Sequence, residues 1–296
     1  MSGQKTQGKH PSASFSSGDN DIQRLCQLGQ VSRAGYYRQL GGRPSKRDDT
    51  DVRDAIQRIA IKNRHYGYRR VAWQLRREGK PVNAKRVLRL MRDDNLLSLR
   101  AKPYVPRTTD TKHAFPIVPN RVRGLIPSGL DQIWVADITY VRLMEEFVYL
   151  AIILDAFSRR VIGWALDDHL EARLALGALD MAFATRSTNL NDLIHHSDRG
   201  VQYASSDYID RLKSKGVRIS MSRPANPYDN AKAESFMKTL KVEEINGKDY
   251  QCIDEARRNI GNFIEQIYNG QRLHSAIGYQ SPVEFEAEIL KAQSTP

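Results

Sequence analysis

Short apolar runs alternate with helical segments between residues 132 and 241, and this order limits the fold more than any other feature of the chain. Runs rich in β-branched and aromatic residues predict strands, whereas apolar residues spaced three to four apart predict helices. The order is three strands, a helix rich in Ala and Leu, a strand, a helix, a strand and a helix: residues 132–143, 147–154, 160–165, 171–184, 193–196, 206–215, 217–221 and 231 onwards. This order predicts an α/β fold with a mixed sheet.

The N-terminal third of the chain carries only helical patterns, which form two helix-turn-helix pairs. In the first pair, residues 21–40, Gly29 interrupts the apolar spacing and Ser32 can cap a second helix. In the second pair, a helix over 68–78 is followed by a turn, and Asn83 can cap the next helix. That helix carries basic side chains, as a helix that enters the major groove of DNA does: Lys85, Arg86, Arg89 and Arg92. A helical hairpin with a charged outer face is the alternative.

The charge of the chain is divided unevenly along its length. Residues 1–126 hold 27 Lys/Arg and 10 Asp/Glu, a net charge of +17, whereas residues 127–296 hold 19 and 24, a net charge of −5. A basic region gains binding free energy by displacing counterions from DNA phosphates. An acidic region can supply carboxylates to metal ions. A merely solvated surface is the alternative reading of the basic half, and the charge alone does not separate the two.

Composition also predicts where the domains begin and end. Residues 1–20 are rich in Ser, Gly and Lys and predict a disordered segment. The helix-turn-helix region then covers residues 21–101, and a Pro-rich linker covers 102–127. The α/β core with its C-terminal helices takes residues 128–290. No apolar run approaches a membrane span, and Cys26 and Cys252 are too far apart in the sequence to suggest a zinc motif.

Three acidic residues lie where strand ends and a helix start would present them, and we refer to Asp137, Asp198 and Glu234 as the carboxylate triad. Asp137 interrupts an otherwise apolar strand, where a charge is costly unless it is paired or bound to a cation. Asp198 directly follows a short strand, and Glu234 lies one turn into the last helix of the alternating region. Taken singly, each acid is more readily explained as a structural residue.

The helix that carries Glu234 has two distinct faces. At about 100° per residue, Glu234, Lys238 and Lys241 share one polar stripe. The apolar residues form a separate stripe that can pack on the sheet: Ala233, Phe236, Met237 and Leu240. An ordinary amphipathic helix with a Glu–Lys pair has the same pattern, so the stripe does not by itself indicate catalysis.

The local motifs resemble those of the OrfB-type DDE transposases of the bacterial insertion-sequence-three family, whose catalytic core is similar to that of retroviral integrases. Thirty-five residues separate Asp198 from Glu234, the spacing of the family's DD(35)E motif, and Lys241 lies seven residues after Glu234. Five segments carry the resemblance: WVADITY at 134–140, HSDRGVQY at 196–203, NPYDNAKAESFMKTLK at 226–241, HYGYRRV at 65–71 and YNGQRLHSAIGYQSPVEFE at 268–286. The zinc-binding His and Cys motif of retroviral integrases is missing, which favours the bacterial family.

The resemblance implies an RNase H-like mixed-sheet catalytic core, preceded by an all-α helix-turn-helix DNA-binding region. It implies that the carboxylate triad binds two Mg²⁺ ions, for which Mn²⁺ can substitute, with Asp137 bridging both. The substrates would be the double-stranded DNA of the element ends and of the target, cleaved and then joined through a 3′-OH. Lys238 and Lys241 would contact DNA phosphates.

The resemblance also implies partners and a location. It suggests self-association on DNA, fusion with an upstream OrfA product, no membrane association, and a place in the bacterial cytoplasm with the nucleoid. Two alternatives remain at this point: a non-catalytic DNA-binding regulator of transposition, and an RNase H-like nuclease that cuts other substrates.

Four polar residues near the triad are expected to be structural. His195 and His196 flank Asp198 in sequence, but histidine suits zinc rather than magnesium. Asp155 follows a strand, and a direct role for it is the less favoured reading. Asn230 precedes the helix that carries Glu234, and we expect its side chain to cap that helix.

Overall fold

A computed structural model describes residues 17–40, 49–98, 118–186, 190, 192–223 and 230–294. The chain divides into two compact units, Met1–Arg58 and Ile59–Pro296. No helix in the described part of the chain is long and apolar enough to cross a membrane.

Two short helices form the first helix-turn-helix pair, α1 (Ser17–Leu28) and α2 (Arg33–Leu40). Gln30 adopts a left-handed φ of 51° between them, and the Val31 N–H donates to the Cys26 carbonyl at 3.1 Å, which closes α1. This confirms the helical pair over residues 21–40. Helix α1 begins inside the segment 1–20 that composition marks as disordered, and the first sixteen residues lie outside the described ones.

Helix α3 (Thr50–Lys62) leads to the second pair, α4 (Tyr68–Arg77) and α5 (Ala84–Asp93). The turn between α4 and α5 contains Gly79, whose φ of +76° favours glycine. Asn83 caps α5 as predicted, because its side-chain oxygen accepts from the Lys85 N–H at 2.8 Å. The two helices bury one another's apolar faces through Val71, Leu75, Val87, Leu90 and Met91.

Five strands form one mixed sheet in the order β3-β2-β1-β4-β5. They are β1 (Ile133–Arg142), β2 (Phe147–Asp155), β3 (Val161–Asp167), β4 (Ile194–Ser197) and β5 (Arg218–Met221). The first three strands pair antiparallel, whereas β4 pairs in parallel with both β1 and β5. The predicted mixed sheet and its strand positions are therefore confirmed.

Helices cover both faces of the sheet. Side chains alternate along β1, so Val135 and Val141 join a core cluster with α9 (Ala231–Leu240) and α10 (Ile253–Asn262). Trp134 and Ala136 point to the other face, which is covered by α6 (Ala172–Thr185), α7 (Val201–Ala204) and α8 (Ser206–Ser214). Gly163 on β3 allows α6 to approach closely, since an added Cβ would lie 2.1 Å from the Ala178 carbonyl oxygen.

The C-terminal segment continues around this core. A π-helix (Lys241–Ile245) extends α9, a second one (Phe263–Tyr268) extends α10, and a 3₁₀ turn (Ser275–Ile277) precedes α11 (Pro282–Ser294). Glu286 of α11 is 2% exposed and accepts hydrogen bonds from Ser158, Arg160 and Arg186. These contacts attach α11 to the sheet.

Helix α4, together with Tyr66 just before it, contacts the same C-terminal segment. The Tyr66 hydroxyl accepts from the Leu273 N–H at 3.1 Å, and Arg70 Nε donates to the Leu273 carbonyl at 2.9 Å. Trp73 stacks on Tyr279 with ring centroids 5.0 Å apart. An ion pair between Arg77 and Glu284 adds a fourth contact.

Residues 102–117 of the predicted linker lie outside the described residues. Its remaining part, 118–127, forms no helix or strand and lies against the core, where Val122 packs and the Arg121 N–H donates to Ser220 Oγ at 2.8 Å. The domain boundaries given above remain a prediction.

Candidate active site

The pairing of β1 with β4 brings two acids of the carboxylate triad together. In this parallel ladder Val135 of β1 lies opposite His196 of β4. Asp137 follows Val135 by two residues, and Asp198 follows His196 by two residues. The same register therefore places the two carboxylates side by side, just beyond the end of β4. Both side chains are half-buried, so the acids lie at the rim of the sheet.

Asn230 connects the start of α9 to the same place. Its side-chain Nδ2 donates to the carbonyl of Ala136 at 2.9 Å, next to Asp137 in the chain. The expectation that the Asn230 side chain caps α9 is wrong, because it makes no hydrogen bond to the first turn of that helix. Asn230 instead links α9 to β1. Glu234 follows in the first turn of α9 with its side chain exposed.

The electrostatics of the triad reflect this clustering. Burial, together with the charges of Asp198 and Glu234, raises the pKa of Asp137 from 3.8 to about 8, and the hydrogen bond from the Ile138 N–H opposes the shift. Desolvation also raises the pKa of Glu234. Asp198 Oδ1 accepts from the Gly200 N–H at 2.9 Å. The site therefore concentrates negative charge that a cation would relieve.

The two lysines of the α9 stripe differ in their surroundings. Lys238 is exposed, whereas Lys241 is half-buried. Burial lowers the pKa of Lys241, and the charge of Asp137 opposes that effect. The Lys241 Nζ lies 4.4 Å from the centroid of the Tyr140 ring, a contact that no sequence pattern predicts. The cations of α5 lie in the same compact unit; Lys85, Arg89 and Arg92 are exposed and Arg86 is half-buried.

The histidines next to Asp198 are structural, as expected. His196 is fully buried, and its two ring nitrogens lie 2.9 and 3.0 Å from the hydroxyls of Ser220 and Ser222. His195 Nε2 lies 2.9 Å from the Tyr208 hydroxyl, and burial lowers the pKa of His195 to about 3. Both imidazoles therefore hold β4 within the core.

Asp155 likewise has a structural position. It is fully buried, and its two oxygens accept from the backbone N–H groups of Asp131, Phe157 and Ser158 at 2.7–2.9 Å. These bonds shape the turn between β2 and β3. Asp155 pairs with Trp134 in the β1–β2 ladder, three positions from Ile152, which pairs with Asp137.

A tighter cluster of potential metal ligands lies elsewhere on the surface. Within the described residues, Asp167, Asp168 and His169 form the one group of three whose donor atoms all lie within 4.8 Å of one another. Arg173 pairs with both aspartates, so this cluster already has a positive partner. The donor atoms of the carboxylate triad do not all lie within that distance of one another.

Comparison with known proteins adds family information to this geometry. The family description "Integrase core domain" matches residues 128–227 and again residues 215–282. The description "HTH-like domain" matches residues 46–104, which include α4 and α5.

Two curated relatives extend the match over most of the chain. The "Insertion element IS600 uncharacterized 31 kDa protein" of Shigella sonnei is 38% identical over 265 residues, 88% of this chain and 97% of the relative. "Transposase InsF for insertion sequence IS3A" of Escherichia coli K12 is 37% identical over 275 residues, 91% of this chain and 95% of the relative. The chain belongs to the insertion-sequence-three family of DNA transposases. The transposase thus combines a helix-turn-helix-like DNA-binding region with an integrase-type polynucleotidyl transferase core.

Two retroviral structures are among the solved structures similar to the transposase. The simian T-cell lymphotropic virus intasome, in complex with the PP2A regulatory subunit B56 gamma, has a TM-score of 0.44 at 18% identity and covers 78% of this chain and 74% of its own. The HTLV-2 integrase catalytic core domain in complex with magnesium has a TM-score of 0.40 at 15% identity and covers 53% and 97%.

Proposed function

We propose that the transposase cleaves the ends of an insertion sequence and joins the freed 3′-OH to target DNA, with Asp137, Asp198 and Glu234 as its catalytic carboxylates. The observation that carries this proposal is the β1–β4 register, which sets Asp137 beside Asp198 at the rim of the sheet. Asn230 brings the start of α9, and with it Glu234, to the same strand.

The triad has the chemistry of a divalent-metal site. Its members offer only oxygen ligands, which Mg²⁺ prefers, and Mn²⁺ can occupy the same kind of site. Burial and the charges of Asp198 and Glu234 raise the pKa of Asp137 although Lys241 opposes the shift, which supports the binding of a further cation beside this carboxylate. Two bound cations would activate an attacking oxygen and stabilise the leaving oxygen of a phosphodiester. Asp137, whose pKa the charges of Asp198 and Glu234 both raise, would be the acid shared by the two ions.

The reaction then needs no covalent intermediate with the protein. Water attacks the phosphodiester at the element end in the first step, and the resulting 3′-OH attacks a target phosphodiester in the second. The carboxylates would bind the metal ions and fix their positions, whereas Lys241 and Lys238 would contact phosphates near the reacting DNA ends. Lys85, Arg86, Arg89 and Arg92 of α5 supply contacts to the element-end duplex.

The alternative of a non-catalytic regulator has no observation in its favour. A regulator would have no need for three acids on β1, just after β4 and on α9 at one rim of the sheet. We further propose that the transposase self-associates on DNA, acts after fusion to an upstream OrfA product, and works in the bacterial cytoplasm with the nucleoid. These proposals rest on the family resemblance.

The test is a cleavage and strand-transfer assay on labelled element ends with Mg²⁺, using Asp137→Asn, Asp198→Asn and Glu234→Gln. Each substitution is nearly isosteric, so we expect DNA binding to persist while cleavage and joining fall at least about 10³-fold, the scale on which loss of essential electrostatic catalysis acts. Asp249→Asn, at an exposed aspartate, is the matched control and should retain activity. Full activity in any triad variant would remove that residue from the catalytic set.

A further inference from the structure

The contact between Lys241 and Tyr140 lies where the helix changes from α-helical to π-helical geometry. Helix α9 ends at Leu240, and Lys241 begins the π-helix that follows. A π-helical turn changes the direction in which the next side chains project, and such turns are frequent at functional sites. The change of geometry therefore coincides with the residue that contacts Tyr140.

The edge of β1 explains how the contact forms. Side chains alternate along a strand, so Asp137 and Tyr140 point to opposite faces of the sheet. Strand β4 pairs only with residues 133–135 of β1. Beyond Val135, up to the isolated bridge at Leu143, no strand of the described chain pairs with this edge. Lys241 can therefore cross the open edge from the α9 face and reach the Tyr140 ring.

The Tyr140 ring is itself held in place. Phe147, across the β1–β2 hairpin, contacts it edge to face with centroids 5.7 Å apart. A cation 4.4 Å from a ring centroid is well within the range at which the aromatic face attracts it. A free lysine side chain samples many rotamers, whereas a lysine held on a fixed ring samples few.

We propose that Tyr140 is a positioning residue, whose ring holds the Lys241 ammonium at the open edge of β1 beside the carboxylate triad, ready to meet a DNA phosphate. This proposal rests on the proposed function, in which Lys241 contacts DNA near the reacting ends. The chemistry that Tyr140 provides is an aromatic face. A phenylalanine should therefore replace it and a leucine of similar size should not.

The test is a double-mutant cycle in the full-length chain, with DNA affinity and single-turnover joining rate as readouts. The variants are Tyr140→Phe, Tyr140→Leu, Lys241→Ala and the Leu/Ala double variant. Tyr149→Leu is the matched control, because Tyr149 lies directly opposite Tyr140 on β2 and is also half-buried. Thermal unfolding confirms that each variant is folded.

We expect Tyr140→Leu to reduce affinity or joining about two- to fivefold, the range of one cation–π contact near a surface. The same substitution should have little effect when Lys241 is already alanine, and Tyr140→Phe should match wild type. An equal loss in the Lys241→Ala background, in Tyr140→Phe or in Tyr149→Leu would overturn the proposal. If wild type itself fails to join DNA, the proposed function fails, while the cycle measured on DNA affinity still tests the Tyr140–Lys241 contact.

Discussion

Replacing Asp137 with asparagine should stabilise the metal-free transposase above neutral pH. The folded protein holds the Asp137 proton up to about pH 8, whereas the unfolded chain releases it near the ordinary pKa of 3.8. The free energy of unfolding of wild type should therefore fall as the pH rises through this window, because the folded state binds the extra proton. A shift of this size corresponds to about 6 kcal/mol at 1.36 kcal/mol per pKa unit. Since the side chain is half-buried and water screens part of the effect, we expect about 2–4 kcal/mol.

Urea unfolding with a metal chelator at pH 5, 6.5 and 8.5 measures this effect, with tryptophan fluorescence reporting on Trp134 in the core. The gain of Asp137→Asn over wild type should increase with pH and level off above pH 8. Adding Mg²⁺ should stabilise wild type more than the variant, because binding to the folded state adds stability. Asp249→Asn should show neither effect. A gain that is the same at all three pH values, or no gain at pH 8.5, would refute the electrostatic account of the triad.

Three further predictions concern DNA, metal and the core. Replacing Lys85, Arg86 and Arg89 together with alanine should flatten the slope of log K against log salt by about 2–3, if each contacts a phosphate, and an unchanged slope in a salt titration would contradict this. Joining assays should show activity with Mg²⁺ or Mn²⁺ and none with Ca²⁺, and turnover in chelator would exclude the metal mechanism. Glu243→Gln should cost about 3–5 kcal/mol in urea unfolding, because it leaves the 6% exposed Arg272 without its carboxylate partner, and a loss below about 1 kcal/mol would contradict that reasoning.

Much of the fold could be predicted from the sequence because its signals are local. Strand and helix positions follow from runs of neighbouring residues, and Asn83 caps α5 through a bond to a residue two positions away. Glu234, Lys238 and Lys241 could be placed on one stripe of α9 because helix periodicity fixes their directions. Helix periodicity does not predict which residues of other elements contact that stripe.

The features that could not be predicted depend on pairing between distant segments. From the sequence, the Asn230 side chain could form a hydrogen bond either to its own helix or to a strand. The packing of α9 on β1 determines that it donates to the Ala136 carbonyl. The Tyr140–Lys241 contact uses the edge of β1 that the short β4 leaves open, and periodicity does not reveal the length of β4. The contacts of α4 with the C-terminal segment join residues more than two hundred positions apart, as in the 203-residue separation of Arg70 and Leu273.

Those contacts of α4 have a consequence for the distance between the bound DNA sequence and the cleavage site. Helix α4 packs on α5 and is also attached to Leu273, Tyr279 and Glu284. If α5 binds the duplex and the carboxylate triad cleaves it, as proposed, these contacts hold the DNA-binding helix at a fixed distance from the active site. A duplex held by α5 would then present one particular phosphate for cutting, counted in base pairs from the bound sequence. Inserting about five base pairs, half a helical turn, between that sequence and the cleavage site would turn the scissile phosphate to the far side of the duplex. The spacing between α5 and the carboxylate triad would in this way set the position of cleavage.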